Sequence, residues 1–186
     1  MADYNFLSIW KFDAPLEKVY ITLHDADNYH LWWKGQNKVE TIKRGDALGV
    51  GAVKKFKTRS VLPYSLTYTG TVLEVEPLKK VVGTTVGQLE GRGTWVFESE
   101  NGIATVKYFW VVKTNSALMN FFTPILKPAF EWNHDIVMKW GEEGLAKYLG
   151  CNVIKKRSFR ANHHSKKIPS RLNRGGIFCI LYLSNY

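Results

Sequence analysis

The chain has 186 residues, which suits one domain with a hydrophobic core and leaves little room for two. Its net charge of +10 is uneven, because eight of the 26 basic residues and none of the 16 acidic residues lie from Cys151 onward. Residues 1–150 therefore carry 18 basic and 16 acidic side chains, a nearly neutral balance that gives no support to nucleic-acid binding by this part of the chain.

The chain opens with a strand and two short helices. Residues 4–12 are rich in aromatic and branched side chains, which favours a strand. The strand stops at Asp13, a residue type that can cap a helix, and Pro15 fits the first turn of a helix over residues 15–24. A second short helix is predicted over residues 26–33, before Gly35.

Strands separated by turn residues follow for about eighty residues. They are predicted at 38–44, 52–62, 64–76, 80–88, 93–99 and 103–113. Their short connections favour antiparallel pairing. Alternation in the last two strands points Trp95, Phe97, Tyr108 and Trp110 inward, whereas strand 64–76 has bulky residues at both parities and is left without an orientation.

A long amphipathic helix is predicted over residues 116–149, with Pro124 and Pro128 bending its first turns or separating a short segment. At 100° per residue its apolar side is formed by Leu118, Phe122, Leu126, Ala129, Ile136, Val137 and Trp140. Asn133 falls near the centre of this side and His134 at its edge. A buried amide there needs either a partner in the sheet or a ligand, and both possibilities remain open.

Two segments carry a family resemblance. Residues 12–19, Phe-Asp-Ala-Pro-Leu-Glu-Lys-Val, resemble the strand-to-helix entry of the START-like (SRPBCC) superfamily, which includes polyketide cyclases and Bet v 1-like proteins. Residues 132–138 and 141–145 resemble the terminal helix of its polyketide cyclase/dehydrase-like members. The resemblance covers about residues 4–150.

The resemblance implies an α+β helix-grip fold: a bent, antiparallel, seven-stranded sheet around a long C-terminal helix, with two short helices after the first strand. Residues 1–150 are then one domain, and the expected function is binding of a lipid, polyketide or aromatic compound in a cavity between sheet and helix. The glycine-rich connection 45–51 is a candidate rim of that cavity. The alternative is a solid core in which the aromatic rings fill the space.

The candidate ligand-binding residues are the large side chains expected to face the gap, together with one amide. They are Trp32, Trp33, Tyr64, Tyr68, Trp95, Phe97, Tyr108, Trp110, Phe122, Leu126, Ala129, Asn133 and Val137. Aromatic walls suit an apolar ligand with planar rings.

An enzyme acting in the same cavity is the competing interpretation. A cyclase- or dehydratase-like reaction needs polar groups that orient a carbonyl-rich substrate and move a proton. The residue types present that can do so are Arg59, Tyr64, Tyr68, Tyr108, Asn133 and His134. No motif pairs any of these groups, so catalytic residues are not assigned and a binding protein is favoured.

Motifs for metals and cofactors do not occur. His24, His30 and His134 form no closely spaced pair, both cysteines lie at or beyond residue 151, and no P-loop, dinucleotide fingerprint or Gly-x-Ser-x-Gly elbow occurs. We therefore predict no metal and no cofactor. Without a signal peptide or a run of about 18 apolar residues, a cytoplasmic protein lacking a transmembrane segment is predicted.

Residues 151–186 form a basic extension with its own composition. It ends in the apolar run 177–183, which is too short to span a bilayer. Three origins remain open: a disordered arm, a docked strand, or a frame-shifted or read-through extension of non-native origin. As an arm it predicts weak contact with anionic surfaces, but no base-specific nucleic-acid recognition.

Overall fold

The computed structural model describes residues 3–61, 65–114 and 123–155. Its strands are β1 Asp3–Phe12, β2 Gln36–Lys43, β3 Val53–Arg59, β4 Ser65–Glu76, β5 Lys80–Gly87, β6 Leu89–Glu100 and β7 Ile103–Thr114. Its helices are α1 Leu16–His24, a 3-10 turn Ala26–Asn28, α2 Tyr29–Trp32 and α3 Thr123–Leu149. Each predicted strand is present, with ends that differ by up to four residues. The predicted helix over residues 26–33 is divided into the 3-10 turn and α2, and the predicted start of the long helix at residue 116 lies outside the described residues.

The seven strands form one antiparallel sheet in the order β1-β7-β6-β5-β4-β3-β2. Consecutive strands from β2 to β7 are neighbours, and β1 closes the order beside β7. Short turns produce this meander because antiparallel strands need no crossover. The predicted α+β helix-grip architecture is confirmed.

The inner face of the sheet follows from its register. In β7, Val106 and Val112 are buried, whereas Phe109 and Val111 are exposed. Trp110 of β7 lies opposite both Phe6 of β1 and Gly93 of β6, so one row of the inner face crosses three strands. The predicted inward orientation of Trp95, Phe97, Tyr108 and Trp110 is confirmed.

The buried side of α3 differs from the predicted one. Its buried residues are Phe130, Asn133, His134, Met138, Gly141, Leu145 and Ala146, whereas Ala129, Ile136, Val137 and Trp140 are half-buried at its flank. His134 is therefore near the centre of the buried side, and Asn133 lies at its edge. The face is rotated from the prediction by about one residue, or about 100°.

Glycines allow α3 to pack directly against α2 and the tryptophans around it. A Cβ atom on Gly144 would lie 1.9 Å from the Trp32 carbonyl oxygen, and one on Gly141 would lie 2.5 Å from the Trp33 ring. The Trp33 indole also donates a hydrogen bond to the Val137 carbonyl at 2.9 Å. These contacts fix the C-terminal half of α3 on the short helices.

Pro128 lies inside α3, which is continuous from Thr123. Because the backbone N–H that proline lacks lies near the start of the helix, the loss affects only its early turns. The alternative of a separate short segment concerns residues 116–122, which lie outside the described residues.

The chain beyond α3 returns to the end of β1. Val153 bridges Phe12, and the Ile154 backbone N–H donates to the Lys11 carbonyl at 2.8 Å. The Asp13 carboxylate, expected as a helix cap, instead accepts hydrogen bonds from the backbone and side chain of Asn152. These contacts lower the pKa of Asp13.

The division into residues 1–150 and 151–186 stays a prediction, since residues 156–186 lie outside the described part.

Candidate ligand-binding cavity

A cavity of about 1080 Å³ opens over the middle of the sheet. Its floor includes Gly70 of β4, Gly83 of β5 and Gly93 of β6, all on the inner face. Gly83 and Gly93 are directly opposite each other in the register. Because three adjacent strands lack side chains there, the sheet leaves space where a core would otherwise be filled.

Aromatic side chains form much of the wall around this glycine floor. Trp95 and Tyr108 stack at 4.0 Å between ring centroids, and Phe56 and Tyr68 stack at 5.2 Å. A Cβ atom on Gly93 would lie 2.6 Å from the Tyr108 hydroxyl oxygen, so this glycine also makes room for the tyrosine. Such walls match planar or elongated apolar molecules.

A polar group of three side chains lies at the β2–β3–β4 side of the cavity. The Thr58 hydroxyl donates to the buried Gln36 amide oxygen at 3.0 Å. Burial raises the pKa of the Tyr68 hydroxyl, and its hydrogen bonding with Thr58 and Gln36 opposes that rise in part. Tyr68 therefore stays protonated at neutral pH, and its hydroxyl is a neutral hydrogen-bonding group.

The other cavity tyrosines are also neutral. Burial strongly raises the pKa of both Tyr29 and Tyr108. The Tyr29 hydroxyl donates to the Leu23 carbonyl. Tyr108 is available as a neutral donor, which suits a ligand carbonyl or hydroxyl better than it suits proton abstraction.

Five of the predicted ligand-binding residues meet at this cavity: Trp33, Tyr68, Trp95, Phe97 and Tyr108. Trp32 is buried behind Trp33, with ring centroids 5.3 Å apart. Trp110, Ala129, Asn133 and Val137 do not line the cavity. Tyr64, Phe122 and the Leu126 side chain lie outside the described residues. Ligand contact remains a prediction for all of them.

Several lining residues were missed in the sequence. The strand interiors contain Gly70, Gly83 and Gly93, and glycine within a strand pattern is a usable signal of close backbone approach or missing side chains. In β3 every second residue, namely Lys54, Phe56 and Thr58, lies on the inner face of the sheet. Because a lysine occupies one of these inward positions, the sequence does not show a regular alternation of apolar and polar residues. The predicted rim at residues 45–51 does contribute Gly45, Asp46 and Gly49 to the lining.

A second group of polar atoms lies between α3 and β7. Trp110 Nε1, Asn133 Oδ1 and His134 Nε2 are buried and have no hydrogen-bond partner within residues 3–61, 65–114 and 123–155. The His134 ring stacks on Phe6 at 3.8 Å, and burial lowers its pKa while the nearby Asp135 carboxylate opposes this. The imidazole is thus neutral and sandwiched in the core.

No group of three His, Cys, Asp or Glu residues in the described part of the chain could hold a metal ion. No helix within residues 3–61, 65–114 and 123–155 has the length and apolarity needed to cross a membrane.

The fold is shared with solved structures. The Zhui aromatase/cyclase from Streptomyces sp. R1128 matches with a TM-score of 0.67 and 12% identity, over 80% of this chain and 94% of that one. A START superfamily protein from Mycobacterium smegmatis matches with a TM-score of 0.62 and 10% identity, over 77% of this chain and 98% of that one. At such identities the likeness shows the fold alone, an α+β helix-grip fold.

A family model identifies the chain more closely. Residues 12–134 match the model described as polyketide cyclase / dehydrase and lipid transport. The chain belongs to this family. No curated protein matches it at the sequence level.

Proposed function

We propose that the protein binds an apolar small molecule, such as a lipid, a polyketide or an aromatic compound, in the cavity over the glycine floor. The observation that carries the proposal is the cavity itself, whose volume of about 1080 Å³ lies at the upper end of the range for small-molecule sites. Its aromatic walls offer apolar contact, and its neutral tyrosines offer a few hydrogen bonds. Membership in a family that includes lipid transport agrees with this role.

The floor offers a direct way to block the cavity. Thr85 lies on the inner face of β5 and is opposite Gly70 on one side and Gly91 on the other. With no side chain on either neighbour, Thr85→Phe can place its ring over the floor. A ring that removes about 55 Å² of ligand contact lowers affinity about tenfold, at roughly 25 cal/mol per Å².

The test uses the neutral fluorescent probe N-phenyl-1-naphthylamine. We expect the full chain to bind it and Thr85→Phe to bind it at least about tenfold more weakly. Thr94→Phe is the matched control, because Thr94 lies opposite exposed Phe109 on the outer face of the sheet. Equal loss in both variants, or no binding by the unaltered chain, would contradict the proposal.

A second candidate function is a cyclase- or dehydratase-like reaction in the same cavity. It is favoured by the structural similarity to the Zhui aromatase/cyclase and by hydroxyl groups that could orient a substrate carbonyl. Tyr68→Phe and Tyr108→Phe test it with a compound released from the protein purified from cells. Loss of turnover with affinity retained supports catalysis, whereas no turnover of that compound by the unaltered protein leaves binding as the function.

A further inference from the structure

The lining of the cavity includes a set of charged or titratable side chains, which we call the charged rim. It consists of His24, Asp25, Asp27, Lys43, Arg44, Asp46 and Lys54. Setting histidine aside, the rim has three acidic and three basic groups. Which of these charges remain available to a ligand depends on their existing partners.

Asp27 is held by two neighbours. Its carboxylate lies 2.7 Å from the Lys54 ammonium and accepts a hydrogen bond from the Thr41 hydroxyl at 2.8 Å. Burial alone would raise the pKa of Asp27, but these contacts and the nearby positive charges of Lys54 and Arg44 lower it. The Lys54 side chain is 18% exposed and the Asp27 side chain 54%, so the pair is shielded from solvent mainly on its lysine side.

The other two carboxylates of the rim also have partners. Asp46 Oδ1 accepts the backbone N–H groups of Leu48 and Val50, at 2.9 Å and 2.8 Å, and so shapes the glycine-rich connection. Asp25 Oδ2 accepts from the Asn28 amide at 2.6 Å. All three rim carboxylates are therefore engaged in local structure.

Two basic groups of the charged rim, unlike Lys54, have no carboxylate partner among the described residues. Lys43 and Arg44 form no ion pair within the part of the chain that the structure describes, although Arg44 is near enough to Asp27 to affect its pKa. They are adjacent in sequence at the end of β2, and both belong to the cavity lining. Cations beside an apolar cleft attract an anion more strongly than isolated surface charges do, since the low-dielectric walls focus the field.

We propose that the ligand is amphipathic, with an apolar body in the cavity and one anionic group, a carboxylate, sulfonate or phosphate, bound by Lys43 and Arg44 at the rim. This inference rests on the proposed function and adds the chemical class of the ligand. Arg44 offers planar paired donors to an oxyanion, and Lys43 adds a second positive charge.

Two related probes separate the anionic contribution from the apolar one. 1-Anilinonaphthalene-8-sulfonate carries a sulfonate, and N-phenyl-1-naphthylamine has the same aromatic body without it. Their mutual displacement from the full chain establishes a shared site. We expect the sulfonate probe to bind more tightly, and its advantage to fall as salt concentration rises.

The decisive variant is Lys43→Gln/Arg44→Gln. Exposed ion pairs contribute about 2- to 5-fold each, so the double variant should weaken sulfonate binding by about 4- to 25-fold and leave the neutral probe unchanged. Lys55→Gln/Lys57→Gln is the matched control, because it removes the same charge from exposed positions on the outer face of β3. Its binding of both probes should match that of the unaltered chain.

The outcomes distinguish the two proposals. If the neutral probe binds but the rim variant leaves the preference for sulfonate unchanged, or the control variant reduces it equally, the anionic-ligand inference is wrong and the cavity proposal stands. If neither probe binds the unaltered chain, both proposals fail. A selective loss in the rim variant supports the inference.

Discussion

Replacement of Gly144 by alanine tests whether α3 packs against α2 as closely as the structure shows. Alanine in place of glycine within a helix normally stabilises it by about 1 kcal/mol. Here the added Cβ would lie 1.9 Å from the Trp32 carbonyl oxygen, a backbone atom that no side-chain rotation can move away. Overpacking costs about 1–3 kcal/mol, and a clash with backbone belongs at the upper end. We therefore expect a net loss of about 2 kcal/mol.

Urea unfolding monitored by tryptophan fluorescence measures this loss as a lower midpoint. The corresponding fall in melting temperature is roughly 4–8 °C for a domain of this size. Lys147→Ala, on the exposed side of the last turn of α3, is the control and should change stability by less than about 0.5 kcal/mol. A Gly144→Ala protein as stable as the original, or more stable, would refute the close packing of α3 on α2.

Two further predictions concern buried polar groups. Thr85→Val removes a shielded hydroxyl that has no hydrogen-bond partner in the part of the chain that the structure describes, so the free energy of unfolding should rise by about 1 kcal/mol in a denaturant titration. A loss of that size would contradict the assignment. Burial lowers the pKa of His134 in the folded state. As pH drops below about 6.5, the imidazole is therefore protonated more readily in the unfolded chain than in the folded one, and the free energy of unfolding should fall. His134→Phe should reduce that slope between pH 7 and pH 5. A slope equal to that of the unaltered protein would exclude His134 as the cause.

The sequence predicts the elements and their order because each is marked locally. Turn residues separate the strands, and alternation orients β6 and β7 through Trp95, Phe97, Tyr108 and Trp110. Alternation does not orient β4, because a register shift lies between Val72 and Glu74. Residues before and after this shift that face the same side of the sheet are not separated by an even number of positions. Periodicity describes a regular strand and cannot show where a bulge interrupts it.

The buried face of α3 was misjudged for a different reason. The helical wheel is based on apolar residues and places His134 at the edge of their face, yet Phe6 and Trp110 cover the His134 ring from the sheet. Trp132, the largest apolar side chain nearby, is 56% exposed. A polar side chain can be buried in the core when side chains from other elements cover it. The sequence of the helix alone does not show which of its polar residues will be covered in this way.

The cavity was predictable as an aromatic-lined gap but not in its position. Its floor depends on the register that brings Gly83 opposite Gly93, and its rim joins residues from α1, the following turn and β2–β3. The tryptophans and tyrosines predicted to line one gap divide between the cavity and the interface of α3 with the sheet. Distinguishing these two environments requires the tertiary arrangement.

Native mass spectrometry of the full chain purified from cells shows whether the cavity holds an apolar ligand. We expect a native mass above the denatured mass, release of an apolar compound on denaturation, and little or none of the added mass in Thr85→Phe. A native mass equal to the denatured mass, with no gain in thermal stability from a panel of lipids, sterols and polyphenols, would refute ligand binding in the cavity.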